Sequence, residues 1–562
     1  MNRHLARTSA PLTQLALLLG LLAGLPIAQA GPKTVCTITI NSADEKESLQ
    51  RHLPPGDYRF VELVQRGKPD WLAAACSSQV KCDSLVISGH FDDGTEFYTD
   101  SFDKREFLTM HELQRASCSP SCSGVFSQLK DVYLFGCNTL KTQPRHEAGA
   151  EVLRSLTRDG RAGSDAQRLA DLLSQRYGQS NRDRLRHVFK DVPLLYGFQA
   201  NAPLGRVAGP MMDRYLQTAP AGEVGSGRRS ATLLGLFGPV SMVAEAGVND
   251  SDPHTGFRHD MCSLADDTPS AAHKLAFLHA FLQRDITDVR MFLDHLERYL
   301  GSLDPAQRSL PEVTAALATI ARDHGARQRF LAFARDADAA PVQARMLALA
   351  HSLGWLTPAQ EQEEFVQMVA NRMAKGSLTA AEVDLVCTAR PGHENTRGAG
   401  LAPQLRASGT ARASNLSHAA ALACLGDEQG HQSTVRALTS SLDENVALAQ
   451  IYLRHRPLAD VDQLRALTAD IGRMTAGAAQ VRALETVARL RLNDRQSLQE
   501  IAGLFPLLRS LPAQRAVAGI LIRADHSLLA RADLARVLRQ HRLKSNDGGD
   551  VIDVLIRILQ AA

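Results

Sequence analysis

Hydrophobic positions change their rhythm once along the chain. Val35, Ile38 and Ile40 lie in a β-branched run, and similar short apolar runs recur at Tyr58 to Val64, Leu85-Val86-Ile87, Val132 to Phe135 and Val192 to Tyr196. Between them lie helical patterns around Glu45–His52, Ala150–Leu156 and Ala166–Tyr177. Short buried strands alternating with helices predict an α/β domain with a mostly parallel sheet covered on both faces. Beyond about Asp266 the strand signals stop. Val289, Phe292, Leu293, Leu296 and Leu300 fall on one face of a helix, as do Val342, Met346, Leu349 and Leu353. Helix-start signals recur as Asp304-Pro305-Ala306-Gln307, Thr357-Pro358-Ala359-Gln360 and Thr379 with Glu382, and the last helix is expected over Val551 to Leu559.

The helical half carries a weak periodicity. Ala/Leu-rich helices open at Val342, Val446, Val481 and Ala513, the last three 35 and 32 residues apart. This pattern resembles HEAT-like helical repeats, against the alternative of a non-repetitive bundle. Arg390 to Ser414 reads as a loop interrupting the array, and residues 247–269 read as the linker between an α/β domain over 31–246 and a helical domain over 270–562.

The N-terminus has its own grammar. Arg3 and Arg7 precede the apolar run Leu15 to Leu25, Pro26 breaks it, and Ala28-Gln29-Ala30 supplies a small-x-small cleavage pattern. Residues 1–30 are therefore expected to be a cleaved signal peptide, exporting the protein to a periplasmic or extracellular destination where disulfides form. No later stretch has the apolar length of a membrane span.

Composition narrows the function classes. The 562 residues are 44% hydrophobic and 22% charged, with 63 Lys+Arg against 60 Asp+Glu, a net charge of +3. That balance argues against a dedicated nucleic-acid binder and against disorder. Nine cysteines leave at least one outside intramolecular disulfides. The close pairs Cys76/Cys82 and Cys118/Cys122 are taken as candidate small loops, with Cys137 as the leftover thiol. A zinc site at Cys118 and Cys122 is discounted for want of a second ligand pair, and no metal or cofactor is expected. Gly222 to Ser230 departs from a phosphate loop at Arg228 and Arg229, so it reads as an exposed flexible loop open to cleavage.

One constellation could carry chemistry. Leu85-Val86-Ile87-Ser88-Gly89-His90 is an apolar strand ending in a histidine, and Asp131-Val132-Tyr133-Leu134-Phe135-Gly136-Cys137 is another ending in a cysteine. Parallel neighbours present their C-terminal ends on one edge, where His90 and Cys137 would meet as a proton shuttle and a thiolate nucleophile. Main-chain N–H groups near Gly89 and Gly136 would then hold an oxyanion. Phe107 to Leu113 between them looks helical, with His111 as a cap or solvent-facing residue.

These segments resemble the caspase-like cysteine peptidases, including CHAT-type and gingipain-like members. The resemblance extends at most over Gly31 to Gly238. It implies a caspase-like fold, Cys137 as nucleophile, His90 as general acid/base and a protein or peptide substrate. The residue after His90 is Phe91 where that family usually has Gly. Two functions follow as expectations: an exported cysteine peptidase with a helical recognition domain or, alternatively, a non-catalytic caspase-like scaffold for protein–protein interaction.

Overall fold

The computed structural model describes residues 31–63, 71–91, 94–99, 106–144, 148–158, 163–220, 222–375, 378–389, 401, 403, 415–458, 461–475, 477–488, 492, 494–543 and 550–561. The expected signal peptide and nearly all of the loop at 390–414 lie outside them. Two compact units emerge, one formed by 1–278 with 290–299, the other by 279–289 with 300–562.

The first unit is built on a six-stranded sheet. Its elements run β1 (Lys33–Thr39), α1 (Asp44–His52), β2 (Tyr58–Glu62), α2 (Trp71–Ser77), β3 (Ser84–Ser88), β4 (Glu96–Tyr98), β5 (Phe107–Thr109), α3 (Met110–Cys118), α4 (Ser123–Ser127), β6 (Asp131–Phe135), α5 (Ala148–Arg158), α6 (Gly163–Arg176), α7 (Asn181–Val188), β7 (Leu194–Phe198), α8 (Gly205–Thr218), α9 (Ala231–Phe237), β8 (Met242–Glu245) and α10 (Thr255–Ala265). The strand order is β2-β1-β3-β6-β7-β8, parallel except for β8, which pairs antiparallel with β7.

β3, β6 and β7 are buried at every position, as strands covered on both faces must be. Alternate residues feed two separate cores. Val35, Val86, Tyr133 and Tyr196 pack under α1, α8 and α9, while Cys36, Leu85, Ile87, Val132 and Leu134 pack under α2, α3, α4 and α7.

Local details differ from the sequence reading. Phe107–Thr109 is not helical: it pairs with Glu96–Tyr98 in a small antiparallel ribbon, and the helix starts at Met110. Thr109 caps that helix, its Oγ1 accepting the Glu112 N–H at 3.0 Å. The disulfides also differ from the expected local loops. They join Cys36 to Cys82, Cys76 to Cys122, Cys118 to Cys262 and Cys387 to Cys424, and Cys137 stands outside all four. The first pair follows from sheet order, since β1 lies directly beside β3 and brings Cys36 near the segment that enters β3. Residues 247–269, expected as a linker, contain α10, which Cys262 ties to α3 and which Arg258 anchors through Ser117 and the His187 carbonyl.

Gly222 to Ser230 is a pinned loop rather than a loose one. Lys33 Nζ donates to the carbonyls of Gly222 and Val224 at 2.8 and 2.9 Å, and Tyr58 Oη donates to Val224 O. Buried Asp131 accepts the Gly225 N–H at 2.8 Å and the Ser84 hydroxyl at 2.5 Å. Gly222, Gly225 and Gly227 all hold positive φ, so the chain curls around a carboxylate of its own rather than around a phosphate. Burial pushes the Asp131 carboxyl up to about 6. Arg228 and Arg229 are exposed.

Among the described residues the second unit is helical throughout. Asp443–His455, Ala478–Val487, Leu511–Ile522 and Val551–Ala561 pack in succession, with Val461–Arg473 beside Arg495–Leu504 in a second row. The expected openings at Val342, Val446, Val481 and Ala513 each fall in the first turns of a helix. Five polar ties between helices or the turns at their ends span 35 residues, Trp355 Nε1 to Ile320 O, Arg372 to Ala337 O, Arg465 to Glu500, Arg515 to Asp550 and Arg523 to Ala488 O, while Arg335–Glu364, Arg456–Cys424 O and Arg482–Asp443 span 29, 32 and 39. The start signals at Asp304 and Thr357 form reciprocal caps with Gln307 and Gln360.

Candidate functional site

The C-terminal edge of the sheet holds a pocket. β1 leads into Asn41-Ser42, β3 into Gly89-His90 and β6 into Gly136-Cys137, and these line it with Ser88, Phe135, Glu45 of α1 and Ala202 to Gly205 at the start of α8. His90 and Cys137 thus share one small cavity, of about 40 Å³. That is room for a water or two, well below the several hundred Å³ of a typical ligand site.

Two of the residues expected as oxyanion contributors explain how tightly the edge is packed. A Cβ on Gly136 would stand 2.9 Å from both the Gly89 carbonyl and the Phe91 Cβ, and one on Gly89 would meet Ile40 at 3.3 Å. Glycine at 136 is therefore required by a close backbone approach. Phe91 is fully buried and stacks on Phe97 with centroids 4.4 Å apart, so it roofs the core and does not obstruct the pocket mouth.

The hydrolase expectation fails on how these groups are engaged. The Gly89 N–H donates to Phe135 O at 3.0 Å, the His90 N–H to Tyr98 O at 2.9 Å, and the Asn138 N–H to Ala200 O at 2.8 Å. These three donors are therefore spent on the sheet, on the small ribbon and on the turn after β7. An oxyanion hole needs donors aimed at the reacting atom, so this edge does not supply one from Gly89 or His90.

His90 is held by its own neighbours. Thr99 Oγ1 donates to Asn41 Oδ1 at 3.0 Å, which turns the Asn41 amide N–H toward His90 Nε2 at 3.1 Å. Nε2 is thereby an acceptor, and the imidazole ring lies against Tyr98. Cys137 Sγ accepts the Ala202 N–H at 3.4 Å. Eight of the nine cysteines are in disulfides, and among the described residues no group of three or more His, Cys, Asp and Glu side chains is placed to hold a metal ion. The expected His/Cys peptidase machinery, and with it the hydrolase assignment, is accordingly withdrawn.

The group sequence reading missed is Glu45. Its side chain is buried beside the pocket, Oε2 accepting the Ser88 hydroxyl at 3.1 Å. Burial raises its carboxyl to about 7, against the opposing pull of its own backbone N–H and Ser88; the nearby Asp44 raises it further. Asn41, Ser42 and Ser88 follow apolar strands just as His90 does, so the same strand-end signal could have found them. Glu45 carried no such mark, because a glutamate in a first helical turn is ordinarily a solvated dipole partner.

His111 lies exposed on the first turn of α3. No helix among the described residues is long and apolar enough to cross a membrane. No protein-family model, no curated protein and no solved structure matches the chain.

Proposed function

We propose that this is an exported, non-catalytic scaffold: a caspase-like α/β unit without hydrolase activity, joined to a HEAT-like helical array that binds a protein partner. The observation that carries the reading is the recurrence of polar ties at a 35-residue offset in the second unit. Repeats that each contact only their neighbours present long continuous surfaces suited to protein recognition. The α/β unit supports the same reading from the other side, since the strand-end N–H groups of Gly89 and His90 are committed to the sheet and to the small ribbon. Export is supported by the expected signal peptide and by four disulfides, which persist in oxidising compartments.

The test uses the full mature chain and its His90→Ala/Cys137→Ala variant. Both are cross-linked to the exported protein fraction of the host, and both are incubated with a peptide library. The reading requires one partner cross-linked equally by both proteins through residues 300–562, with no peptide cleaved by either. Cleavage by the wild type alone, or cross-links confined to the α/β unit, would overturn it.

A further inference from the structure

Five rings meet in the first unit away from the sheet-edge pocket. Phe257 of α10 sits at the centre, with His187 of α7 at 4.7 Å, Tyr177 at 5.5 Å, His295 at 5.5 Å and Phe292 at 5.9 Å between centroids. His295 also stacks on Phe292 at 4.6 Å, the planes only 9° apart. The rings come from three places: residues 177–188, helix α10 and the segment 290–299, which belongs to this unit although both its flanks belong to the other.

The two imidazoles are in an unusual position for polar rings. His187 Nδ1 and both ring nitrogens of His295 are sealed from solvent without a hydrogen-bond partner. A neutral imidazole in such a site forfeits one or two hydrogen bonds, whereas a charged one forfeits far more. The charges around them make protonation worse. Arg258, Arg186 and His254 face His187, with Asp252 opposing, and Arg298, Arg184 and His111 face His295, with Asp294 opposing; His111 is itself held down to about 4 by burial, Arg298 and Arg115. Burial together with the neighbouring guanidinium groups holds both imidazoles down at about 3.

We propose that this ring cluster is an acid-sensitive joint: protonation of His187 and His295 releases helix α10 and the segment 290–299 from α7, while the Cys118–Cys262 bond keeps α10 tethered. The sign follows from linkage. Each imidazole binds a proton more weakly closed than open, so the closed state keeps its full stability above the open-state value of about 6.5 and loses it as pH falls below that. At pH 5 the factor depends almost wholly on the open-state value, and each histidine raises the opening constant about 30-fold. Two acting together raise it by up to about 1,000-fold.

Hydrogen exchange on the oxidised full chain, corrected for intrinsic rates, reads the opening directly in peptides covering 181–189, 255–265 and 290–299. Wild type is expected to open at least tenfold more at pH 5 than at pH 7.5 in these peptides, whereas the β3 and β6 peptides, where burial of the Glu45 carboxyl acts in the opposite sense, should not open more at pH 5. His187→Gln/His295→Phe should lose the part of that response owed to the two imidazoles, leaving at most what His111 adds, while remaining protected at pH 7.5. If the double variant is unprotected at pH 7.5, His187→Gln alone decides, and its acid response must fall by about 30-fold. A wild-type response below threefold, or variants that respond as the wild type does, overturns the proposal.

Discussion

Glu45 offers the sharpest test of how the sheet edge is built. Replacing it by Gln keeps the shape and the capacity to accept from Ser88, while removing a carboxyl whose charge burial opposes strongly. The folded carboxyl titrates near 7 against an ordinary value of 4.5. A folded-state value above the unfolded one means that the protonated form is favoured in the native state. The wild type therefore pays nothing well below pH 4.5, loses stability as pH rises through the interval, and levels off above 7. Integrated over both titrations, the penalty is about 0.8 kcal/mol at pH 5 and about 3.3 kcal/mol at pH 8. The Glu45→Gln variant escapes it. Relative to wild type, the variant should thus gain about 2.5 kcal/mol between pH 5 and pH 8, apart from a constant offset for the altered hydrogen bond. With two compact units, a single unfolding curve would mix their transitions. The appropriate assay is hydrogen exchange in the buried peptides 84–88 and 131–135, which reports the opening free energy of this sheet alone. A relative gain below 1 kcal/mol, or a variant more destabilised at pH 8 than at pH 5, would refute the account of Glu45 as a buried acid held against its charge.

Other perturbations have equally definite outcomes. Gly136→Ala places a methyl 2.9 Å from the Gly89 carbonyl and the Phe91 Cβ, backbone and core atoms that do not yield cheaply. It should cost about 1–3 kcal/mol in the same exchange assay, and a neutral result would mean that the two strand ends are less tightly apposed than described. Cys387→Ser/Cys424→Ser opens a loop with a sequence separation of 37 residues in the helical unit. Chain entropy assigns that bond about 3–4 kcal/mol, to be read as a lowered denaturation midpoint of the helical unit under oxidising conditions. A midpoint unchanged from wild type would show that the bond adds nothing beyond the surrounding packing.

What the sequence disclosed and what it withheld divide along a physical line. β3, β6 and β7 were legible because a parallel strand buried on both faces must be apolar at almost every position, and Leu85-Val86-Ile87 and Val132 to Phe135 are. The small ribbon of Glu96–Tyr98 and Phe107–Thr109 was not, since three residues carry too little periodicity to separate strand from helix. Cysteine pairing was misjudged for a related reason. Spacing along the chain favoured Cys76 with Cys82, but partners are chosen by the sheet order that sets Cys36 beside the β3 entry. The meeting of His90 and Cys137 at one edge was likewise a consequence of parallel order, and so could be inferred. Whether such a meeting is reactive depends on something else: which atoms the neighbouring N–H groups already serve. The Gly89 N–H answers to Phe135 across the sheet, and the His90 N–H answers to Tyr98 from a ribbon that the sequence did not reveal. Side-chain identity at strand ends is written locally, but the commitment of backbone donors is a property of the pairing, and donors so committed are not free to face a reacting atom.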